Sequence, residues 1–173
     1  MPKQSAGRGA RPRGTVRVAV VAARWNAEIT DRLAAGALAT ARDAGAAVDS
    51  FTVAGSFELP AAVAALADTG DYDAIVPIGC LIKGDTPHFE YIAGAVSRGL
   101  MDLSLTYPAA IPFGVLTCNT AAQARARAGG RMGNKGAESM EAALEMVALQ
   151  RAIASSRRRS SRSARTASST RTS

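Results

Sequence analysis

A chain of 173 residues suits one domain with a real hydrophobic core. Its net charge of +7 belongs to the ends: residues 1–14 carry four basic groups and residues 151–173 seven arginines, both without an acid, while residues 15–150 hold ten basic against fourteen acidic groups. A strongly basic folded body is thereby excluded. So is a membrane span, because no apolar run is long enough, and so is a secretory signal, because no apolar stretch follows the basic start.

Residues 1–14 read as a basic, flexible N-terminal arm. Val16–Ala23 (VRVAVVAA) is a β-branched apolar run, typical of a parallel strand buried on both faces. Asn26–Gly45 follows as a helix with Leu33, Ala37, Leu38 and Ala41 on one stripe, Asn26 as its cap and Gly45 as its stop. Val48–Val53 is a second strand, and Leu59–Ala67 a helix with Pro60 in its first turn. Ala74–Ile82 (AIVPIGCLI) is a third strand, in which Pro77 predicts an irregular or edge ladder. Pro87–Tyr107 is a helix, Phe113–Cys118 a strand, Ala121–Ala128 a short helix, and Lys135–Ala154 a last helix.

Strands alternating with helices predict an α/β fold: a parallel sheet with right-handed crossovers and helices on both faces. Ligands of such sheets gather beyond the carboxyl ends of the strands. That points to Arg24–Asn26, Gly55–Glu58, Cys80–His88 and the segment after Cys118. Cys80 and Cys118 lie in apolar segments and read as small buried residues of a reducing cytoplasm rather than a disulfide. The tail 155–173 is nearly all Ser, Arg, Thr and Ala, too polar to offset the entropy of ordering, and reads as disordered. An RNA-binding role is the alternative for it, but no aromatic residue interleaves the arginines as single-strand binding would favour.

Four groups of residues carry chemistry. GCLIKGDTPHFE at Gly79–Glu90 leaves a strand, turns at Gly84 and starts a helix, where free N–H groups and the dipole suit a phosphate. His88 is the single histidine; a lone histidine is more often structural, yet its position one turn into that helix fits a proton relay. Trp25 is the single tryptophan and reads either as core or as a stacking platform for a flat heterocycle. Gly55–Glu58 reads as a helix cap or a second ligand-facing turn. Arg125, Arg127, Arg131 and Lys135 form a basic run that is either a solvated face or, with one arginine turned inward, a bidentate phosphate grip.

Together these stretches resemble the lumazine synthases. The matching segments are RWN (Arg24–Asn26), GSFELP (Gly55–Pro60), GCLIKGDTPHFEYI (Gly79–Ile92), FGVLT (Phe113–Thr117), QARARAG (Gln123–Gly129) and GNKGAES (Gly133–Ser139). They occur in family order across Val16–Val147. The resemblance implies a flavodoxin-like three-layer α/β/α sandwich with a four-stranded parallel sheet, forming a lumazine synthase domain over 15–154. It implies condensation of 5-amino-6-(D-ribitylamino)uracil with 3,4-dihydroxy-2-butanone 4-phosphate to 6,7-dimethyl-8-ribityllumazine, phosphate and water, with no metal or organic cofactor. Carried over by motif, Trp25 stacks on the pyrimidine. Ser56, Phe57, Glu58, Cys80, Leu81, Ile82 and Lys135 hold the aminouracil, and Phe113 comes from a neighbouring subunit. Asp85, Thr86 and Arg127 bind phosphate, and His88 transfers protons. Trp25 stands where Phe is common in the family, and Lys83 where Arg is common.

The resemblance also implies a cytoplasmic homopentamer with sites between neighbours, in some relatives assembled further into a sixty-subunit shell. The short link Gly129–Gly136 fits a shell; Pro2, Pro12 and the basic arm disfavour the extra edge strand. Three rivals remain. A non-catalytic flavin- or lumazine-binding protein on the same fold would need neither His88 nor Arg127, and an archaeal-type riboflavin synthase would need no phosphate turn. An RNA-binding module acting through the tail would find no continuing basic surface on the acidic body.

Overall fold

The computed structural model describes residues 14–169 of the backbone, with side chains as far as residue 157. The arm before Gly14 and the side chains of the Arg/Ser-rich segment beyond Arg157 lie outside the described residues. The elements run β1 (Arg17–Ala23), α1 (Ala27–Asp43), β2 (Ala47–Val53), α2 (Leu59–Asp68), β3 (Ala74–Ile82), α3 (His88–Thr106), β4 (Gly114–Cys118), α4 (Ala121–Ala126), β5 (Ala128–Gly130), β6 (Gly133–Asn134) and α5 (Lys135–Ser169), with a 3-10 turn at Ser56–Glu58 before α2. β2-β1-β3-β4 form a four-stranded sheet in which every pair is parallel. This is the flavodoxin-like sandwich that the resemblance implies, and the parallel α/β order is the one the alternating strands and helices predict.

The layers follow from which faces are apolar. β1 and β3 are buried nearly throughout, so alternate residues feed two cores. On one side Val18, Val20, Val76 and Ile78 meet Ile29, Leu33, Ala37 and Ala41 of α1 and Met140, Ala143 and Val147 of α5. On the other, Ala19, Val21 and Ile75 meet Leu59 and Val63 of α2 and Val96 and Leu100 of α3. Each fully buried Val, Leu or Ile contributes about 1.5–3 kcal/mol relative to exposure. Small residues let the helices come close: a Cβ on Gly136, at the start of α5, would lie 2.0 Å from the Leu33 carbonyl oxygen of α1.

Pro77 is accommodated differently from an edge position, since β3 lies between β1 and β4. Ile75 donates its N–H to the Ala110 carbonyl on the β4 side, and pairing to β4 resumes only at Ile78 with Gly114. Two residues beyond Ile75, Pro77 turns its ring nitrogen to the same side, into the gap between those contacts, so the missing N–H costs no ladder bond.

Three further departures have physical causes. Asn26 precedes α1 without a side-chain cap, in the left-handed conformation (φ 61°, ψ 42°). The short helix stops at Ala126, and the chain then makes the β5–β6 hairpin, whose register depends on positive φ at Gly129 and Gly133. Finally, α5 continues to Ser169 although its apolar stripe ends earlier. Val147 is the last buried apolar residue on it among the described side chains, but alanine and arginine favour helix without packing. The stripe marks the end of the core rather than the end of the helix.

Candidate functional site

Beyond the carboxyl ends of β1 and β3 a cleft of about 310 Å³ opens. It is lined by Trp25 and Asn26 after β1, Ser56 and Phe57 before α2, Cys80, Leu81 and Ile82 at the end of β3, and Gly84, Thr86, His88, Phe89 and Ile92 through the turn into α3. Eight residues expected at a ligand site are therefore brought together: Trp25, Ser56, Phe57, Cys80, Leu81, Ile82, Thr86 and His88.

Trp25 is not core. It is 66% exposed, and one face of its indole lies on the Gly55 backbone, where an added Cβ would be 2.5 Å from Cε3 and 2.8 Å from Cζ3. Its backbone is held by Trp25 N–H donating to the Ala54 carbonyl (3.1 Å) and Arg24 N–H to the Val53 carbonyl (2.9 Å). An aromatic ring fixed on a backbone floor and open on a cleft is a stacking surface. Phe57 adds a second exposed ring.

Glu58 and Asp85 do not line this cleft. The Glu58 carboxylate accepts the Gly55 N–H at 2.9 Å, so it fixes the turn that carries the indole. Ser56 is buried and packs against Gly79 on β3, where a Cβ would meet its Oγ at 2.6 Å. Burial pushes the Cys80 thiol up to about 12, so it stays protonated at neutral pH and offers its backbone rather than a thiolate. Beside the phosphate-type turn, Lys83 pairs with Glu90 at 3.0 Å and holds that carboxyl below the usual range.

Phe113, Arg127 and Lys135 line a different concavity, of about 420 Å³, together with Thr117, Cys118 and Glu138 at the edge strand β4 and the start of α5. No residue lines both hollows. The β5–β6 hairpin joins the two cations: Lys135 N–H donates to the Arg127 carbonyl at 2.9 Å. Arg127 Nη1 donates to the Gln123 carbonyl at 3.1 Å, and Lys135 Nζ meets Glu138 Oε2 at 2.6 Å. Phe113 is 48% exposed beside them. Arg125, by contrast, is drawn away to Glu28 of α1 at 2.9 Å.

Sequence reasoning pointed to the stretch Arg24–Asn26 but gave the Asn26 side chain only a capping role, and it gave none to Phe89, Ile92 or Glu138. Glu138 had a legible signal, three residues after Lys135 on one helix face. The bond of the Asn26 amide to β3 had none, because it spans distant parts of the chain.

A parallel α/β sandwich with an aromatic platform, a single histidine and a helix start in one carboxyl-end cleft has the ligand-binding arrangement of the flavodoxin-like class. The family model for 6,7-dimethyl-8-ribityllumazine synthase matches residues 15–151. Among curated relatives, a 6,7-dimethyl-8-ribityllumazine synthase of Thermus thermophilus is 48% identical over 141 residues, 80% of this chain and 90% of the relative. Those of Corynebacterium efficiens and Anaeromyxobacter dehalogenans are 50% identical over 132 residues (75% and 82%) and 44% identical over 142 residues (80% and 88%). The chain belongs to the 6,7-dimethyl-8-ribityllumazine synthase family, transferases of riboflavin biosynthesis.

Proposed function

We propose that the chain condenses 5-amino-6-(D-ribitylamino)uracil with 3,4-dihydroxy-2-butanone 4-phosphate in sites shared between neighbouring subunits of a homopentamer. The observation that carries the shared site is the division of the expected residues between two hollows with no common lining residue. In this reading the cleft of one subunit stacks the pyrimidine on Trp25 and holds it with the backbone of Ser56, Phe57 and Cys80–Ile82. Asp85 and Thr86 meet the phosphate through the turn and the first N–H groups of α3. The neighbour supplies Phe113 to cover the heterocycle, Arg127 to complete the phosphate grip, and Lys135 to line the aminouracil side. Glu58 acts by holding the Gly55 turn.

The aminouracil brings its own amine nucleophile, and the sugar phosphate its own ketone and leaving group. The protein's work is then alignment, worth roughly 7–11 kcal/mol at the limit, with His88 carrying protons and Arg127 stabilising the departing phosphate. The catalytic unit is residues 15–154, with the basic arm and the Arg/Ser-rich tail outside it. The two free buried cysteines, Cys80 and Cys118, support a cytoplasmic location. No described helix is long and apolar enough to cross a membrane. The short hairpin link before α5 is compatible with a sixty-subunit shell above the pentamer.

The experiment is complementation. His88→Ala and Arg127→Ala chains, each impaired, are unfolded, mixed equally and reassembled. With sites formed between neighbours and random mixing, about a quarter of them regain both groups. Lumazine formation at sub-saturating sugar phosphate should recover to about that fraction of wild type. No recovery, or full activity in a monomer by light scattering, refutes the shared site.

A further inference from the structure

We infer that Asn26 is a positioning residue for the aminouracil half of the site, its amide tying the Trp25 platform to the exit of β3. This rests on the proposed reading of the cleft.

The need for a tie follows from the strand pairing. β1 and β3 are in register as far as Ala22 with Ile78, and there their backbone pairing ends. On its other side β1 stays with β2 through Ala23 and Val53, and the turn carries on in that company through the Arg24 and Trp25 N–H bonds to Val53 and Ala54. The indole therefore travels with β2, while Cys80, Leu81 and Ile82 travel with β3. The cleft opens between them. Asn26 Nδ2 donates to the Cys80 carbonyl at 2.9 Å, and this bond spans the divergence.

The backbone of Asn26 is shaped for the purpose. Among the described residues it is the one non-glycine with positive φ. Its carbonyl accepts the N–H groups of Ile29 (2.8 Å) and Thr30 (3.0 Å), so the left-handed turn opens directly into α1. Such a conformation persists in an L-residue when its surroundings over-determine it, and Asn tolerates it better than most. Glycine would fit the same backbone at no steric cost. What glycine lacks is the donor to Cys80, and Asp would place a carboxylate against that carbonyl. The geometry thus separates the role of the backbone from that of the amide.

The test uses the full chain and its Asn26→Gly and Asn26→Asp variants, with steady-state kinetics in both substrates. Emission of Trp25, the single tryptophan, is titrated with the lumazine product. Losing one neutral hydrogen bond that sets the gap should raise KM for the aminouracil about 3–10-fold. Turnover should fall by a smaller factor, and KM for the sugar phosphate should hold. Asn26→Asp should be worse than Asn26→Gly; should it fail to fold, Asn26→Gly decides alone. An unchanged aminouracil KM in Asn26→Gly overturns the inference, and so does an equal rise in both KM values, which would mean general loosening. A wild-type chain whose Trp25 emission ignores the lumazine, and which forms no product, fails the reading of the cleft instead.

Discussion

Gly55→Ala probes the platform with the smallest possible change. Gly55 has extended backbone (φ −139°, ψ −179°), which alanine adopts freely, so the substitution acts only through the added methyl. That methyl would stand 2.5 Å from Cε3, 2.8 Å from Cζ3 and 3.1 Å from Cδ2 of Trp25. Carbon atoms settle at about 3.5–4.0 Å, so the ring must lift by about 1 Å. Because the indole is largely exposed, it can swing outward, and the folded state should lose little. The Glu58 bond survives, since alanine keeps the N–H. What is lost is the stacking geometry, typically worth about 0.5–1.5 kcal/mol. The Michaelis constant for the aminouracil, or the dissociation constant for the lumazine, should rise roughly 2–12-fold. Steady-state kinetics and quenching of Trp25 by the lumazine read the effect, with a thermal melt as control. Unchanged affinity and quenching in a folded Gly55→Ala protein would refute the seating of a ligand on this indole. A Trp25→Ala variant with wild-type affinity would refute it independently.

Three other substitutions test other parts of the site and fold. His88→Ala should slow condensation by up to about 10²–10⁴-fold while sparing aminouracil affinity, the spontaneous reaction of the substrates masking the upper part of that range; unchanged turnover would make His88 structural. Arg127→Ala should raise the Michaelis constant for the sugar phosphate and weaken competition by inorganic phosphate; if Arg125→Ala does so instead, the phosphate grip lies on the other arginine despite its pairing with Glu28. Asp49 is held below the ordinary aspartate value chiefly by the hydrogen bond from Arg17, whose Nη2 lies at 2.6 Å, and also by that from Tyr72. A depressed carboxyl stabilises the fold above its unfolded value and loses that contribution as pH falls through the folded value. Denaturation of Asp49→Asn should therefore differ from wild type by no more than about 1 kcal/mol at neutral pH, given the partial exposure of the pair. The difference should shrink below about pH 4, and a pH-independent difference would refute the ion-pair account.

Local chemistry was enough to read most of the architecture. The apolar run Ala74–Ile82 is β3 residue for residue, because a strand buried on both faces needs unbroken apolar character from end to end. Pro60 and Gly45 mark a helix start and a helix stop because each restricts or frees the backbone at its own position. The GDTPH turn and the single His88 point to the carboxyl end of the sheet for the same reason: a strand leading into a helix start is a local motif.

Tertiary structure decided what depends on pairing between distant segments. Periodicity cannot show that β3 lies inside the sheet with Pro77 facing a gap, since strand order is set by how the layers close. Nor can it separate Trp25 from the core, because an indole on the Gly55 backbone requires two turns to meet. The hairpin that seats Arg127 beside Lys135 rests on two positive-φ glycines and a few backbone bonds, too short a signal for any period. The division of His88 and Arg127 between two hollows is likewise invisible in motifs that simply follow one another along the chain. Asn26 shows the limit most clearly. Its residue type suits a helix cap, and the local sequence predicts one, but its amide is spent on a carbonyl of β3 that only folding brings within 2.9 Å.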